Sequence, residues 1–323
     1  MSWKDVVGHE AAVRLLKGQL ASGRLSHTYL LAGREGIGKH RLALEFAKAV
    51  ECEKAQAEAC DACDTCRRID KGSFPDLMRV DPESETGQIR VDQIRKLAGG
   101  VSLTPYAGRW KIGIVNEADR MTEEAAHGCL KLLEEPPAQT LLILIAAAPY
   151  RLPATLVSRC HLVRCFPQGI RRVAQTLQEA EGLDSHLAAF LATWSGGRLG
   201  VALEFHRQQR LAAKNAALDQ ILAAWKRKAP EVPLTSGPRR QVEEALEWTA
   251  AWWRDLLVLS LKGDPAWLIH QDRRKDLERE LAGVQRSSID YLLDRIERTY
   301  WVQEAVQRNA SPRIALATLL IGR

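Results

Sequence analysis

The sequence predicts an α/β nucleotide-binding domain that is followed by an all-helical region. Short apolar segments alternate with helical patterns up to residue 166, and a glycine-rich turn follows the first of these segments. Strand signals vanish after Pro167. Strand, helix and strand at this spacing are typical of a parallel sheet with crossover helices. The expected domains are 1–166 for the sheet, 167–207 for a small helical lid and 208–323 for an all-α C-terminal domain.

Three apolar segments are predicted to be strands of the sheet. They are Thr28–Ala32, Ile112–Val115 and Leu141–Ala146. A helix is expected to run from the glycine-rich turn to Val50, and a second helix lies between the last two strands. Pro136-Pro137 ends the second helix, because proline has no N–H for the helical ladder and restricts the residue before it.

The region after the sheet is predicted to be helical throughout. Residues 167–207 read as short helices broken at Gly182 and at Ser195-Gly196-Gly197, and residues 230–238 read as a connector. Further on, one helix carries an apolar stripe that consists of Trp248, Trp252, Leu256 and Leu259, with Arg254 and Asp255 off it. This stripe predicts packing in a core rather than a ligand site.

The composition is that of a globular protein that needs no membrane. Hydrophobic residues make up 46% and charged residues 27% of the 323 residues. The first 20 residues carry charges and have no apolar core, and the longest apolar run, 141–148, suits a buried strand. Neither a signal peptide nor a membrane span is expected, so the predicted location is the cytoplasm. The net charge of +6 is compatible with nearby nucleic acid, but excess arginine is also common on solvated helix faces and on surfaces that meet acidic partners, and this second reading is preferred.

The glycine-rich turn has the pattern of a phosphate-binding loop. Its candidate residues are Gly33, Gly36, Gly38, Lys39 and His40, in the pattern G-x-x-x-x-G-K followed by His instead of Ser or Thr. Glycines let backbone N–H groups converge on phosphate oxygens at the start of a helix. The lysine is expected to neutralise the outer phosphates of a nucleotide.

Two positions of this site depart from those of an active ATPase. His40 replaces the hydroxyl that binds Mg²⁺, and imidazole is a poor ligand for a cation that prefers oxygen. Asn116 follows the second strand where an active enzyme has an aspartate, and Glu117 comes next. We therefore expect weak or absent binding of ATP or ADP and no rapid hydrolysis.

Four of the seven cysteines form a cluster with metal-ligand spacing. They are Cys52, Cys60, Cys63 and Cys66, in the pattern C-x7-C-x2-C-x2-C. Four thiolates complete a tetrahedron around zinc and leave no open position, so a structural zinc site is predicted within residues 50–70. Surface thiols and disulfides are the alternatives. The scattered Cys129, Cys160 and Cys165 are expected to pack as small hydrophobic side chains.

Several motifs in the first half resemble the clamp-loader branch of the AAA+ proteins. They are Leu25–Leu30, the phosphate loop, Phe74–Leu77, Leu130–Pro137 and Leu152–Cys160. The match runs from about residue 3 to 166, and a looser helical match covers the rest. The resemblance implies an AAA+ domain with a zinc-binding insertion, a helical lid and a C-terminal collar domain. Some subunits of this branch keep an intact nucleotide site and others have a degenerate one. The substitutions, and the absence of a long extension after residue 323, favour the second type.

The resemblance also implies roles for single residues. Arg159, in Ser158-Arg159-Cys160, matches an arginine that reaches the ATP of a neighbouring subunit. Ala146-Ala147-Ala148 stand where a polar sensor is expected, and Arg198 stands where a second sensor arginine is found. Trp3, Val6 and Val7 either border an adenine pocket or pack against the first helix.

The expected function follows from the resemblance and from the altered site. The implied complex is a heteropentamer with three tau/gamma subunits and a delta subunit, which opens a beta sliding clamp for loading onto primed DNA. This chain would be a stator that supplies Arg159 to a tau/gamma ATP, and it would be neither a polymerase nor an active ATPase itself. Two alternatives stay open: an active tau/gamma-type ATPase, and a zinc-dependent DNA-binding protein without a motor role.

Overall fold

The computed structural model of the chain describes residues 3, 6–54, 57–83, 86–227, 239–282 and 289–321. Two compact units are present. The first unit comprises residues 1–168 with 198–200, and the second comprises 169–197 with 201–323. The end of the first unit lies close to the predicted end of the sheet domain at 166. The further separation of a lid from a C-terminal domain stays a prediction, and the expected connector at 230–238 lies outside the described residues.

The first unit is built on a five-stranded sheet in the order β2-β3-β4-β1-β5, in which all neighbours are parallel. The strands are β1 Thr28–Ala32, β2 Leu77–Val80, β3 Lys111–Val115, β4 Thr140–Ala146 and β5 His161–Arg164. The three predicted strands are confirmed. The sequence analysis missed β2 and β5, since both are four residues long and only partly buried, so neither forms a continuous apolar run.

Helices cover both faces of the sheet. They are α1 Glu10–Ser22, α2 Lys39–Glu51, α3 Asp64–Asp70, α4 Val91–Val101, α5 Glu123–Glu134 and α6 Ala154–Val157. Side chains alternate between the two faces along a strand. Tyr29 and Leu31 therefore join one hydrophobic cluster with α1 and α2, whereas Leu30 and Ala32 join another with α4, α5 and α6. Burial on both faces explains why the central strands are apolar at every position.

The second unit is helical at every described element. Its helices are α7 Ile170–Glu181, α8 Ser185–Trp194, α9 Leu199–Arg207, α10 Arg210–Arg227, α11 Arg239–Ser260, α12 Arg274–Ala282, α13 Ile289–Gln307 and α14 Pro312–Ile321. The first two residues of α9 belong to the first unit. Gly182 ends α7 with a φ of 65°, as its position in the sequence predicted. Among the described residues, no helix is long and apolar enough to cross a membrane.

The predicted apolar stripe of α11 is confirmed, with one correction. Trp248, Trp252 and Leu256 are buried. Asp255 was expected to lie off the buried stripe, but it is fully buried. Its carboxylate accepts hydrogen bonds from the backbone N–H groups of Ile269 and His270 and contacts the His270 imidazole at 3.1 Å. The periodicity could not show this, because the donors come from a turn that follows in the chain.

The aspartate of the Phe74–Leu77 motif, Asp76, is buried and binds the loop between α4 and β3. Asp76 accepts N–H bonds from Tyr106, Ala107 and Gly108 and an ion pair from Lys111 Nζ at 2.5 Å. Burial disfavours the charged carboxylate, but the lysine and the N–H groups outweigh it and lower the pKa of Asp76 to about 2. This side chain thereby fixes the loop between α4 and β3.

Replacing Asp76 by asparagine is expected to cost about 3–5 kcal/mol, because it leaves the buried Lys111 ammonium without its counter-ion. The native carboxylate has a lowered pKa, so its contribution is complete above the unfolded pKa near 4. That contribution, about 2 kcal/mol, is lost as the pH falls through 2. Urea unfolding at neutral and acidic pH tests both effects. Asp92→Asn, in an exposed ion pair with Arg95, is the control, and equal losses in both variants would contradict the assignment.

Candidate functional site

The phosphate loop lies between the end of β1 and the start of α2. Gly36 and Gly38 have φ values of 74° and 101°, which residues with a β-carbon rarely adopt. Gly33 is required for a different reason, since a β-carbon there would lie 2.2 Å from the carbonyl oxygen of Cys165. The glycines that the sequence singled out therefore have distinct structural roles in the loop.

Lys39 is turned onto its own loop. Its Nζ donates to the carbonyl oxygens of Gly33 at 2.5 Å and of Arg34 at 2.7 Å. Burial lowers the pKa of Lys39, and nearby thiol and carboxyl groups, including Cys165 and Asp119, oppose that effect. In this conformation the ammonium group closes the loop onto itself.

Two further carbonyl groups of the loop have partners from outside it. His9 Nε2 donates to the Ile37 carbonyl oxygen at 2.7 Å, and the Gly200 N–H donates to the Gly36 carbonyl oxygen at 2.7 Å. Sequence analysis did not identify His9, which is nearly fully buried beside the loop. Each of these hydrogen bonds ties the loop to another segment of the first unit.

The residues at the two positions that bind magnesium in an active ATPase are hydrogen-bonded to each other here. His40 Nδ1 lies 2.9 Å from Asn116 Oδ1, and Asn116 Nδ2 donates to Asp81 Oδ1 at 2.5 Å. Asp81 accepts a hydrogen bond from the amide nitrogen of Asn116. The amide oxygen therefore accepts one from the N–H at His40 Nδ1. A hydrogen-bonded chain of three side chains thus joins α2 to the ends of β3 and β2. The sequence showed both substitutions but not that they are complementary.

The carboxylates next to Asn116 are also engaged. Glu117 pairs with Arg120 at 2.6 Å, and Asp119 accepts N–H bonds from Ala147 at 3.0 Å and Ala148 at 3.1 Å. Asp119 thereby anchors the alanine segment at the carboxyl end of β4, which stands where a polar sensor residue was expected. No side chain in that segment is able to orient a water molecule.

Several of these groups line one cleft of about 440 Å³ at the carboxyl edge of the sheet, where ligands of parallel α/β folds bind. The residues that face it include Lys39, His40, Glu117, Ala147 and Gly200. Arg198 lies two residues before Gly200, directly ahead of α9. Among the remaining candidates, Trp3 and Val6 are buried in the hydrophobic cluster of α1 and α2, which favours packing over an adenine pocket.

The four clustered cysteines converge. Their Sγ atoms all lie within 4.8 Å of one another, and three of the four residues are buried. A tetrahedral zinc site with Zn–S bonds of about 2.3 Å places its sulfurs about 3.8 Å apart. The N–H groups of Cys60, Cys63 and Cys66 point at the sulfurs of Cys52, Cys60 and Cys63, at 3.3–3.4 Å. The arrangement can bind a metal ion such as zinc and is consistent with a zinc-binding insertion.

Two cationic side chains, the buried Lys48 and the exposed Arg109, fasten this insertion to the sheet domain. Lys48 Nζ, on α2, pairs with Asp61 at 2.5 Å and Asp70 at 3.1 Å. Arg109 Nη2 donates to the carbonyl oxygens of Val50 at 2.7 Å and Cys52 at 3.1 Å, at the end of α2. Neither contact was predicted, since both join residues that only the folded chain brings together.

The Ser158-Arg159-Cys160 motif forms a compact turn after α6. Ser158 Oγ and Arg159 Nη1 both donate to the Thr155 carbonyl oxygen, at 3.0 Å and 2.9 Å. Arg159 Nη2 also pairs with Glu134 at 2.9 Å, and the arginine side chain stays 39% exposed. Cys160 packs against the cluster of α5 and α6, and burial raises the pKa of its thiol to about 12. Of the other scattered cysteines, Cys129 and Cys165 are buried as predicted.

Three features define the class of protein to which the chain belongs. They are the parallel sheet with its phosphate loop, the converging cysteine cluster and the exposed arginine turn. The chain has the fold of an AAA+ clamp-loader protein in which the magnesium-binding positions are substituted. A family model described as "DNA polymerase III, delta subunit" matches residues 8–168.

Curated relatives place the chain more narrowly. It is 32% identical over 308 residues to the DNA polymerase III subunit delta' of Bacillus subtilis, covering 92% of each chain. It is 38% identical over 160 residues to the subunit tau of Salmonella typhimurium, covering 49% of this chain and 24% of that protein. A solved structure, a gamma-subunit-related protein from Thermotoga maritima, is 17% identical with a TM-score of 0.47, covering 96% of this chain and 97% of that one. The chain belongs to the delta' subunit family of DNA polymerase III, a component of the clamp loader.

Proposed function

We propose that this chain is the stator of the clamp loader and that Arg159 acts on the ATP of a neighbouring tau/gamma subunit. One contrast carries the proposal. The residues at the magnesium-binding positions, His40 and Asn116, are hydrogen-bonded to each other, whereas Arg159 lies on a hydrogen-bonded turn with its side chain partly exposed. The chain's own cleft is unsuited to hydrolysis, and its arginine is available to another subunit.

Three residues at the cleft are unsuited to ATP hydrolysis. ATP hydrolysis needs a metal ion that bridges the outer phosphates, and a polar group that orients the attacking water. His40 offers nitrogen instead of oxygen, Asn116 offers no charge, and Glu117 is paired with Arg120. Lys39 and the loop glycines remain, so a weakly bound nucleotide without turnover is the most that the cleft supports.

The argument for action in trans rests on the guanidinium group. Arginine stays charged and presents a planar fork of N–H donors that matches phosphate oxygens. Arg159 uses only part of this fork for Thr155 and Glu134. Arginines supplied by a neighbouring subunit stabilise charge on the transferring phosphoryl group.

The proposed surroundings follow from the family. The partners are tau/gamma and delta subunits in a heteropentamer, and the beta clamp and primer-template DNA are met through that complex in the cytoplasm. We assign zinc to the cluster of Cys52, Cys60, Cys63 and Cys66 as a structural ion. Four thiolates close its coordination sphere, so the ion would hold the insertion and would supply no catalytic water.

The isolated chain is expected to hydrolyse ATP negligibly, while the complex that contains it hydrolyses ATP when primed DNA and clamp are added. His40→Thr should leave the isolated chain inactive, because Asn116 and the alanine segment are unchanged. Phosphate release by the purified chain, with a tau/gamma subunit as the positive control, measures this. Robust turnover by the isolated chain would overturn the stator assignment and favour an active ATPase of tau/gamma type.

A further inference from the structure

We infer that Glu134 is the positioning residue for Arg159, an inference that rests on the proposed trans role of that arginine. Glu134 belongs to the Leu130–Pro137 motif and Arg159 to the Leu152–Cys160 motif, and sequence reasoning gave the two motifs no physical link. In the structure Arg159 Nη2 and Glu134 Oε1 lie 2.9 Å apart. One motif thereby orients the functional side chain of the other.

The pair is set by two anchored elements. Glu134 is the last residue of α5, and Leu133 beside it is buried in the hydrophobic cluster that α5 shares with α6. Leu156 of α6 is fully buried in the same cluster. Glu135 caps α5 after the glutamate, and Pro136-Pro137 then prevents the helix from continuing. The backbones on both sides are therefore fixed relative to each other, and the ion pair depends only on two side-chain conformations.

The two contacts of Arg159 define the plane of its guanidinium group. Nη1 donates to the Thr155 carbonyl oxygen and Nη2 to the Glu134 carboxylate, both at 2.9 Å. A guanidinium group has five N–H donors, so the others remain for an acceptor outside the chain. Without Glu134, only the Thr155 contact would restrain a side chain that has many rotamers.

The strength of the ion pair determines whether Glu134 positions Arg159 for ATP or keeps it away from ATP. Both side chains are substantially exposed, at 39% and 49%. Exposed ion pairs contribute little free energy, whereas a nucleotide triphosphate offers several charged oxygens to the same fork. Glu134 is therefore too weak a partner to withhold Arg159 from ATP, but it is sufficient to bias the free side chain towards one orientation.

The test uses the complex assembled from this chain, tau/gamma, delta, clamp and primed DNA, with the DNA-stimulated rate of ATP hydrolysis at saturating ATP as the readout. Glu134→Ala should lower the Arg159-dependent part of this rate roughly two- to fivefold, the factor that an exposed ion pair corresponds to. Glu134→Gln, which keeps the shape of the side chain and an acceptor oxygen, should recover part of the loss. Glu135→Ala removes the neighbouring exposed carboxylate and should be silent.

The decisive comparison is the double variant. If Glu134 acts through Arg159, then Glu134→Ala combined with Arg159→Ala should be no slower than Arg159→Ala alone. An additive loss would mean a separate structural role, and a faster Glu134→Ala complex would mean blocking; either result overturns the inference. A slow Arg159→Ala complex together with a normal Glu134→Ala complex refutes positioning but leaves the trans role standing. A normal Arg159→Ala complex refutes both.

Discussion

Replacing Arg159 by alanine is expected to leave the clamp-loader complex assembled while slowing its DNA-stimulated ATP hydrolysis and clamp loading several-fold. Arginine fingers contribute roughly 10³ to 10⁵ in rate at the site that they serve in well-studied switch enzymes. The loss for the whole complex is smaller, because only one of its several ATP sites would lose its finger. Arg159→Lys should restore little, since an ammonium group keeps the charge but lacks the planar fork of donors.

The matched control for this variant is Arg95→Ala. Arg95 is also an exposed arginine in a surface ion pair, with Asp92, but it lies on α4 outside the arginine turn. Size-exclusion chromatography checks assembly, and a clamp-loading assay with primed DNA checks function. Arg159→Ala and Arg95→Ala complexes that load clamps at the same rate would show that the arginine turn has no role in trans.

The second large effect is expected at the cysteine cluster. The purified chain should carry about one zinc ion, and Cys63→Ser should release it, because a tetrahedral site cannot close without its fourth thiolate. The change should expose the insertion to proteolysis between α2 and α3, where the ion and Lys48 hold the chain. The second unit should stay folded, since it is a separate compact unit. The helical content of the chain, measured by circular dichroism, should therefore change little.

Cys129→Ala is the control for zinc release. Cys129 is a buried free thiol in the hydrophobic cluster of α4, α5 and α6, outside the cysteine cluster. Metal analysis by mass spectrometry should find equal zinc in this variant and in the natural chain. A freshly purified natural chain without zinc would refute the structural ion.

Apolar runs and the positions of glycine and proline predicted the long strands and the ends of two helices. The long apolar runs gave β1, β3 and β4, and the glycine and proline positions gave the ends of α5 and α7. The short strands β2 and β5 were missed, because their pairing with neighbours, rather than their composition, makes them strands. Local signals also could not place Asp255, whose burial depends on N–H groups in a later turn.

The site was predicted as a set of residues but not as a set of contacts. The phosphate loop, the cysteine cluster and the arginine turn were all recognisable from spacing. The bond between His40 and Asn116 was not, since it joins positions 76 residues apart in the chain. The pairing of Arg159 with Glu134 and the anchoring of the insertion by Lys48 were hidden for the same reason. Such contacts form only when folding brings separate segments together.

The number of ATP molecules hydrolysed in a single loading event tests the central claim most directly. Rapid-quench measurement after adding primed DNA to the ATP-bound complex with clamp gives the size of the fast burst of phosphate. The proposed complex has three tau/gamma subunits, so with the natural chain it should release phosphate from three sites in this burst. The Arg159→Ala complex should release it rapidly from two, with the third site slow. A burst from three sites at the natural rate in the Arg159→Ala complex would contradict the claim that this chain completes a neighbour's ATP site.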